Sequence, residues 1–209
     1  MSRGIILNLK KLKLFDYLTL NKILILLCAL FIAGIAVGSA VFSKNNSLAE
    51  FSKNMFESYI SMHQNKHWFY VLISSFAKYM FVLLLYFLSG TSMLGVAVVP
   101  VVTFWQGVIA GSVSSYLYSC YSLKGVAFNA VILVPPSIIF TICCFFAAKE
   151  SIGFSLFMAK LTLPKSKPAS MYNDFRKYCG KFIIFAVALI FTAVADLVLN
   201  LLFLHFFDF

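Results

Sequence analysis

The residue best suited to chemistry is Asp196, the only acidic residue within the long apolar segment near the C-terminus. Asn200 follows four positions later, so the two side chains share one face of a helix. A carboxyl group inside a membrane span is costly and commonly serves as a proton relay or an ion ligand. The alternative is a hydrogen-bonded or protonated Asp that fixes helix packing. The sequence leaves both interpretations open.

Gln106 is a second polar candidate, because it is the one large amide near the start of the third apolar span, residues 101–119. Its side chain could bond a backbone carbonyl at a bend or a neighbouring helix, which contributes about 1 kcal/mol; a substrate contact is the alternative. His63 and His67 have a spacing that can bind zinc, but no third ligand stands at a matching distance. The chain contains neither HExxH nor GxSxG. We therefore expect no enzymatic activity, no metal and no cofactor.

The elements that position these residues must be membrane helices. Hydrophobic residues make up 62% of the 209 and charged residues 11%. Between Tyr79 and Ala148 the only charged residue is Lys124. A helix needs roughly 20 apolar residues to cross a bilayer core about 30 Å thick, so this stretch has room for about three crossings. The composition predicts an all-α integral membrane protein with a single membrane-embedded domain.

The predicted architecture is a bundle of about five transmembrane helices with interfacial amphipathic helices. A basic cytoplasmic segment, residues 1–21, precedes the membrane domain, residues 22–209. Within that domain we predict an outer segment at 43–77 and a cytoplasmic loop at 149–181. The outer segment has apolar residues at helical spacing, which is typical of an amphipathic helix at the membrane surface. The predicted spans are 22–42, 79–98, 101–119, 126–148 and 182–206.

Lys78 decides where the second span begins. A lysine at the centre of a span costs about 2.5–3.5 kcal/mol on insertion scales. If the span starts just after Lys78, the ammonium group lies at the interface, where it can reach water. We therefore expect the second crossing to start at Tyr79.

Basic residues predict the orientation of the chain. The net charge is +10, from 17 Lys and Arg against 7 Asp and Glu. With the N-terminus in the cytoplasm, twelve of the 17 basic residues lie on the cytoplasmic side, as the positive-inside rule requires. The C-terminus is then outside. Since these charges flank apolar segments, we expect contact with the lipid bilayer and no nucleic-acid binding.

Glycine and proline mark close helix contacts and bends. Gly34 with Gly38, and Gly107 with Gly111, form two small-xxx-small patterns that let helices approach closely. Such faces pack helices within one chain or build a homo-oligomer, and the pattern leaves both open. The predicted bends and kinks fall at Gly90, Gly95, Pro100, Pro135 and Pro136.

The order of features in the central region resembles the stage II sporulation protein M family. A Gly-rich stretch from Gly90 to Pro100 leads into residues 104–111, with a Trp-Gln-Gly sequence, and then into Lys124 and Gly125. A span containing Pro135 and Pro136 follows. The resemblance extends from about Leu24 to Phe206, which is nearly the whole chain.

This resemblance implies a role in sporulation. Members of the family are membrane proteins of endospore-forming bacteria that act in the mother cell during engulfment. They work with two peptidoglycan-degrading partners, the stage II sporulation proteins D and P, and are thought to place these enzymes at the forespore septum. The family therefore implies a scaffold, and the outer segment 43–77 becomes a candidate docking surface. The competing interpretation is a small transporter or permease subunit that uses Asp196 as an ion or proton site.

Overall fold

The computed structural model describes residues 2–42, 46–65, 68–161 and 171–203. Every element in these ranges is helical. The elements are α1 (Ser2–Phe42), α2 (Asn46–Asn65), α3 (Trp68–Thr91), α4 (Gly95–Phe128), a π-helix (Asn129–Leu133), α5 (Val134–Leu161) and α6 (Met171–Phe203).

Four helical stretches are long and apolar enough to cross a membrane, namely Lys22–Phe42, Trp68–Thr91, Gly95–Lys160 and Tyr172–Phe203. This confirms the predicted all-α membrane class. The third stretch has 66 residues, which as one straight helix would be about 99 Å long. That length is about three times the thickness of a bilayer core.

The long stretch folds back at Ser122, where the backbone leaves the helix with φ 46° and ψ −126°. Asn129 donates hydrogen bonds to the hydroxyl groups of Ser114, at 3.2 Å, and Tyr118, at 2.7 Å. Farther from the turn, the amide of Gln106 lies 4.0 Å from the sulfur of Cys144. Residues 95–121 therefore run antiparallel to a returning arm formed by residues 123–161. Counting both arms gives five long apolar helices, and which of them cross the membrane stays a prediction.

The boundaries of the second helix correct our prediction of a span at 79–98. One continuous helix runs from Trp68 to Thr91, and the chain bends at 92–94. At one end of the bundle, the ammonium group of Lys181 pairs with the carboxylate of Glu150 at 2.6 Å. Near this ion pair, Tyr178 donates a hydrogen bond to the carbonyl of Phe87 on α3. From Phe87 back to Trp68 the helix rises by 19 residues, or about 29 Å, which is close to the thickness of a bilayer core. Lys78 lies near the middle of this length.

Other helix boundaries also differ from the predicted ones. Residues 2–21 continue the same helix as the first span. The outer segment 43–77 divides into α2 and the first part of α3, and α5 and α6 extend into the predicted loop 149–181. Pro100, expected at a bend, lies inside α4. Pro100 is in the second turn of α4, and its missing N–H removes the hydrogen bond that an α-helix would direct to the carbonyl of Val96.

The two glycine patterns pack against each other within one chain. A methyl group added to Gly34 would lie 3.1 Å from the Cα atom of Gly107 and would collide with the carbonyl oxygen of Phe104. A methyl group on Gly111 would lie 2.9 Å from the Cα atom of Ile35, and one on Gly38 the same distance from that of Val108. Helices α1 and α4 are thus parallel and in backbone contact, and these faces are occupied inside the chain.

Candidate functional site

Asp196 is buried, with 2% of its surface exposed, and it joins three helices. Its Oδ1 accepts a hydrogen bond of 2.9 Å from the hydroxyl of Tyr59 on α2, and its Oδ2 accepts one of 2.9 Å from Ser75 on α3. Asn200, on the same face of α6, donates to Oδ1 at 3.2 Å and to the backbone carbonyl of Asp196 at 2.7 Å. Side chains from three helices thus donate hydrogen bonds to one carboxylate.

Tyr59 brings α2 into this cluster. Its hydroxyl oxygen accepts a hydrogen bond of 2.6 Å from Asn200 while its proton is donated to Asp196. Burial, and then the negative charge of Asp196, raises the pKa of the Tyr59 phenol, so Tyr59 remains a donor at any physiological pH. The neighbouring Phe56 is also buried and contacts the rings of Tyr116 and Phe128. These contacts fix α2 on the bundle.

A small cavity of about 190 Å³ lies beside Asp196, between α2, α3 and α6. Lys78 lines it, one helical turn after Ser75 on the same face of α3. Asp196 acts electrostatically on Lys78, although the described residues form no ion pair with its ammonium group. An acid and a base therefore face one cavity inside the bundle.

A larger cavity of about 480 Å³ adjoins the first. The two share five lining residues, Tyr59, Tyr79, Val113, Leu133 and Asp196. The larger cavity extends between α1, α4 and α5, and most of its lining is apolar.

The π-helix forms one wall of the larger cavity. Pro135 and Pro136 lack the N–H groups that an α-helix or a π-helix would direct to the carbonyl of Val131. The hydroxyl of Ser137 donates to the carbonyls of Leu133 and Val134, at 2.7 and 2.9 Å, which restores part of the local bonding. The Pro-Pro sequence thus sits at a break that borders the cavity.

Gln106 lies in a separate network. It accepts a hydrogen bond of 3.3 Å from Tyr86, whose hydroxyl also lies 3.0 Å from that of Thr103. Because its amide also faces Cys144, Gln106 joins α3, α4 and α5. It does not line either cavity beside Asp196.

The bend at residues 92–94 lies at the opposite end of α3 from α2. Ser155 on α5 donates a hydrogen bond of 2.7 Å to the carbonyl of Ser92. Gly90 permits close packing, since a methyl group there would lie 2.9 Å from the Cα atom of Ser151. A methyl group added to Gly95 would lie 3.0 Å from the Cβ atom of Ser155. This bend does not border the cavities described above.

The sequence did not single out Tyr59, Ser75, Lys78, Tyr79 or Asn129 as site residues. The spacing of Ser75 and Lys78 on one helical face was the available signal, but it becomes visible only when the span is known to begin at Trp68. The side chains of His63 and His67 lie outside the described residues.

The chain matches the model of a known protein family. Residues 26–198 match the family model described as Stage II sporulation protein M. No curated protein and no solved structure matches the chain significantly. The matched region covers most of the 209 residues and contains both glycine patterns, the Pro-Pro break and Asp196. The chain belongs to the stage II sporulation protein M family.

Proposed function

We propose that this protein is a membrane scaffold of the sporulation engulfment machinery. In the mother cell it recruits or positions peptidoglycan-degrading partners, the stage II sporulation proteins D and P, at the forespore septum. The observation that carries the proposal is family membership over residues 26–198. A bundle of apolar helices suits a protein that anchors others in the membrane.

Helix α2 is the proposed docking surface. Phe56 and Met62 face the bundle, whereas Phe51 and Met55 are 42% and 43% exposed. Next to the exposed pair, Lys53 and Glu57 form a salt bridge of 3.7 Å on the surface of the helix. Exposed apolar residues with a charged rim are typical of a protein contact site. The hydrogen bond from Tyr59 to Asp196 anchors this helix on the bundle.

The docking role can be tested by co-purification of both partner proteins from sporulating cells. We expect Phe51→Ser to reduce partner recovery severalfold, and replacement of residues 46–66 by an unrelated helix to abolish it. Ser61→Ala on the same helix is the matched control, because Ser61 bonds only its own backbone neighbourhood, through the carbonyl of Ser58. Unchanged recovery with the replaced helix would exclude α2 as the docking surface.

Solute transport is the second candidate function. It is favoured by the two adjoining cavities, which connect Asp196 with the broken helix at Pro135 and Pro136. Polar sites beside broken helices near the middle of the membrane are typical of transporters. Proton-dependent flux into vesicles that contain the purified protein would support this function, and flux unaffected by Asp196→Asn would exclude Asp196 as its ion site.

A further inference from the structure

Arg176 is an exposed cation in the first turns of α6, and it forms no ion pair with the described part of the chain. Its planar guanidinium group carries five N–H donors that match the oxygens of a phosphate. The nearest acid in the sequence, Asp174, is two positions earlier and so on the opposite side of the helix, where it pairs with Lys177 at 3.7 Å. The guanidinium group is therefore available to an external anion.

The depth of Arg176 in the membrane follows from the packing of the next turn. Tyr178 is buried, donates a hydrogen bond of 2.9 Å to the carbonyl of Phe87, and stacks on the ring of Phe154. Helix α3 ends soon after Phe87, at Thr91, so this level is one boundary of the apolar core. Arg176 lies two residues, or about 3 Å, beyond Tyr178. The head-group layer is roughly 5–8 Å thick on each side of a bilayer, so Arg176 lies at the depth of the lipid phosphates.

The face of α6 that carries Arg176 continues into the membrane as an apolar surface. Ile183, Val187 and Ile190 follow Arg176 after seven, eleven and fourteen residues, which places all four on one side of the helix. The three apolar side chains are 65%, 49% and 47% exposed, whereas Tyr178 on the opposite side is buried. Exposed apolar side chains on a membrane helix contact lipid. A lipid chain that lies along this face therefore has its phosphate group next to Arg176.

A surface cavity of about 420 Å³ lies beside Arg176 and is also lined by Asn173 and Lys177. The side chain of Lys177 is 75% exposed, so a second cation borders the cavity. Tyr172 precedes Arg176 by one turn on the same face and is 75% exposed. Tyrosine is enriched at membrane interfaces, because its ring is apolar and its hydroxyl is polar. Two cations and an aromatic ring thus surround one place at head-group depth.

We propose that the start of α6 binds an anionic glycerophospholipid of the leaflet at this end of the bundle. The guanidinium group of Arg176 pairs with the phosphate group, and Lys177 adds a second positive charge. One acyl chain lies along the apolar face that begins at Ile183. Basic residues outnumber acidic ones by five to two within residues 149–161 and 171–181, which favours an anionic over a zwitterionic head group. This site is independent of partner docking on α2 and of solute transport.

Native mass spectrometry of the full-length protein in a neutral detergent tests the site, with phosphatidylglycerol as the probe. We expect one tightly bound lipid per chain and about tenfold weaker binding for Arg176→Gln, the effect of losing one charge-assisted contact. Arg176→Lys keeps the charge but not the planar donor group, so it should lose less affinity. Lys124→Gln removes one exposed charge from the turn at the opposite end of the bundle. This matched control should bind as the wild type does.

Two competitors separate this site from general attraction between charges. Phosphatidylcholine has the same phosphate group but no net charge, and it should bind more weakly than phosphatidylglycerol. An excess of inorganic phosphate should not displace the lipid, because the acyl chain contributes to binding. Thermal unfolding provides a second measurement: phosphatidylglycerol should raise the midpoint of the wild type, since it binds the folded state, and should raise that of Arg176→Gln less.

A further variant keeps the test decisive if Arg176→Gln fails to fold. Tyr172→Ala removes the interfacial ring from the same face without changing any charge, and it should bind phosphatidylglycerol severalfold more weakly. Unchanged binding in Arg176→Gln or, where that variant does not fold, in Tyr172→Ala would overturn the proposal. Equal loss in Lys124→Gln, equal affinity for phosphatidylcholine, or displacement by inorganic phosphate would also overturn it.

Discussion

At the scale of single residues, the structure gives Asp196 a clear packing role. Its carboxylate is the acceptor for donors on α2, α3 and α6, so one buried charge holds three helices in register. An amide cannot replace it, because an amide offers one acceptor oxygen and adds two donors. The proton-relay interpretation needs the same residue to change its protonation state, which would weaken these contacts.

We expect Asp196→Asn to destabilise the folded protein by about 1–3 kcal/mol, since a buried hydrogen-bond network to a charged group is broken. The measurement is the midpoint of thermal unfolding in detergent. Asp174→Asn is the matched control, because Asp174 forms only a surface pair with Lys177 at 3.7 Å. A normally stable Asp196→Asn protein without cellular activity would contradict the packing role and favour the relay.

The sequence identified Asp196 and Asn200 as a pair, because polar residues in an apolar helix stand out. It could not identify Tyr59 or Ser75 as their partners. Both lie more than a hundred positions away in the chain, and hydroxyl groups are common on membrane helices. The sequence placed Lys78 just before a helix, whereas the structure places it inside α3. The insertion cost had been applied to an isolated helix, without the acid and the cavity that the folded bundle provides.

At the scale of helices, α1 and α4 pack in direct backbone contact. Membrane helices associate through van der Waals contact and hydrogen bonds, because lipid provides no hydrophobic force between them. The glycine spacing predicted a smooth face on each of these helices. It could not show that the two faces meet each other instead of a second copy, since pattern alone carries no information about partners.

We expect Gly107→Ala to lower the stability of the protein by about 1–3 kcal/mol or to prevent folding, as overpacking does. The added methyl group would collide with the carbonyl oxygen of Phe31 and lie 3.1 Å from the Cα atom of Gly34. Gly180→Ala is the control, because nothing lies within 4 Å of a methyl group there. The measurement is the midpoint of thermal unfolding of both variants. Equal midpoints for Gly107→Ala and Gly180→Ala would show that α1 and α4 are not in backbone contact.

A substitution in the turn at Ser122 should raise the stability of the protein. Ser122 has φ 46°, in a region that favours glycine, and such a residue stores about 1–3 kcal/mol of strain. We expect Ser122→Gly to raise the unfolding midpoint. The exposed Ser119, inside the preceding helix, provides the control, since glycine there should lower the midpoint. A lower midpoint for both variants would argue against a turn at Ser122.

At the scale of the whole molecule, the helices alternate in direction. The bend at 92–94, the end of α5 and the start of α6 lie at one end of the bundle, where Ser155 and Tyr178 contact α3. Helix α2 and the turn at Ser122 lie at the other end. The apolar length of the chain predicted the all-α membrane class. The predicted helix boundaries differ from the observed ones around Lys78 and in the segments 43–77 and 149–181, where the helices continue farther than their apolar cores.

We expect the end that contains Ser122 to face outward, as the distribution of basic residues requires. Cys120 is exposed next to this turn, and Cys179 lies near the start of α6 at the opposite end. In cells with an intact membrane, a thiol reagent that cannot cross the membrane should label a variant that retains only Cys120. A variant that retains only Cys179 should be labelled only after the cells are opened. The reverse pattern would invert the orientation.

Deletion of the gene in the native host, followed by induced sporulation and imaging of the septal membrane with a fluorescent dye, tests the scaffold role most directly. The scaffold account predicts arrest with a flat or bulging septum and failure of the membrane to migrate around the forespore. Complementation with the wild-type gene should restore engulfment, whereas the form with residues 46–66 replaced should not. Normal engulfment in the deletion strain would contradict the account.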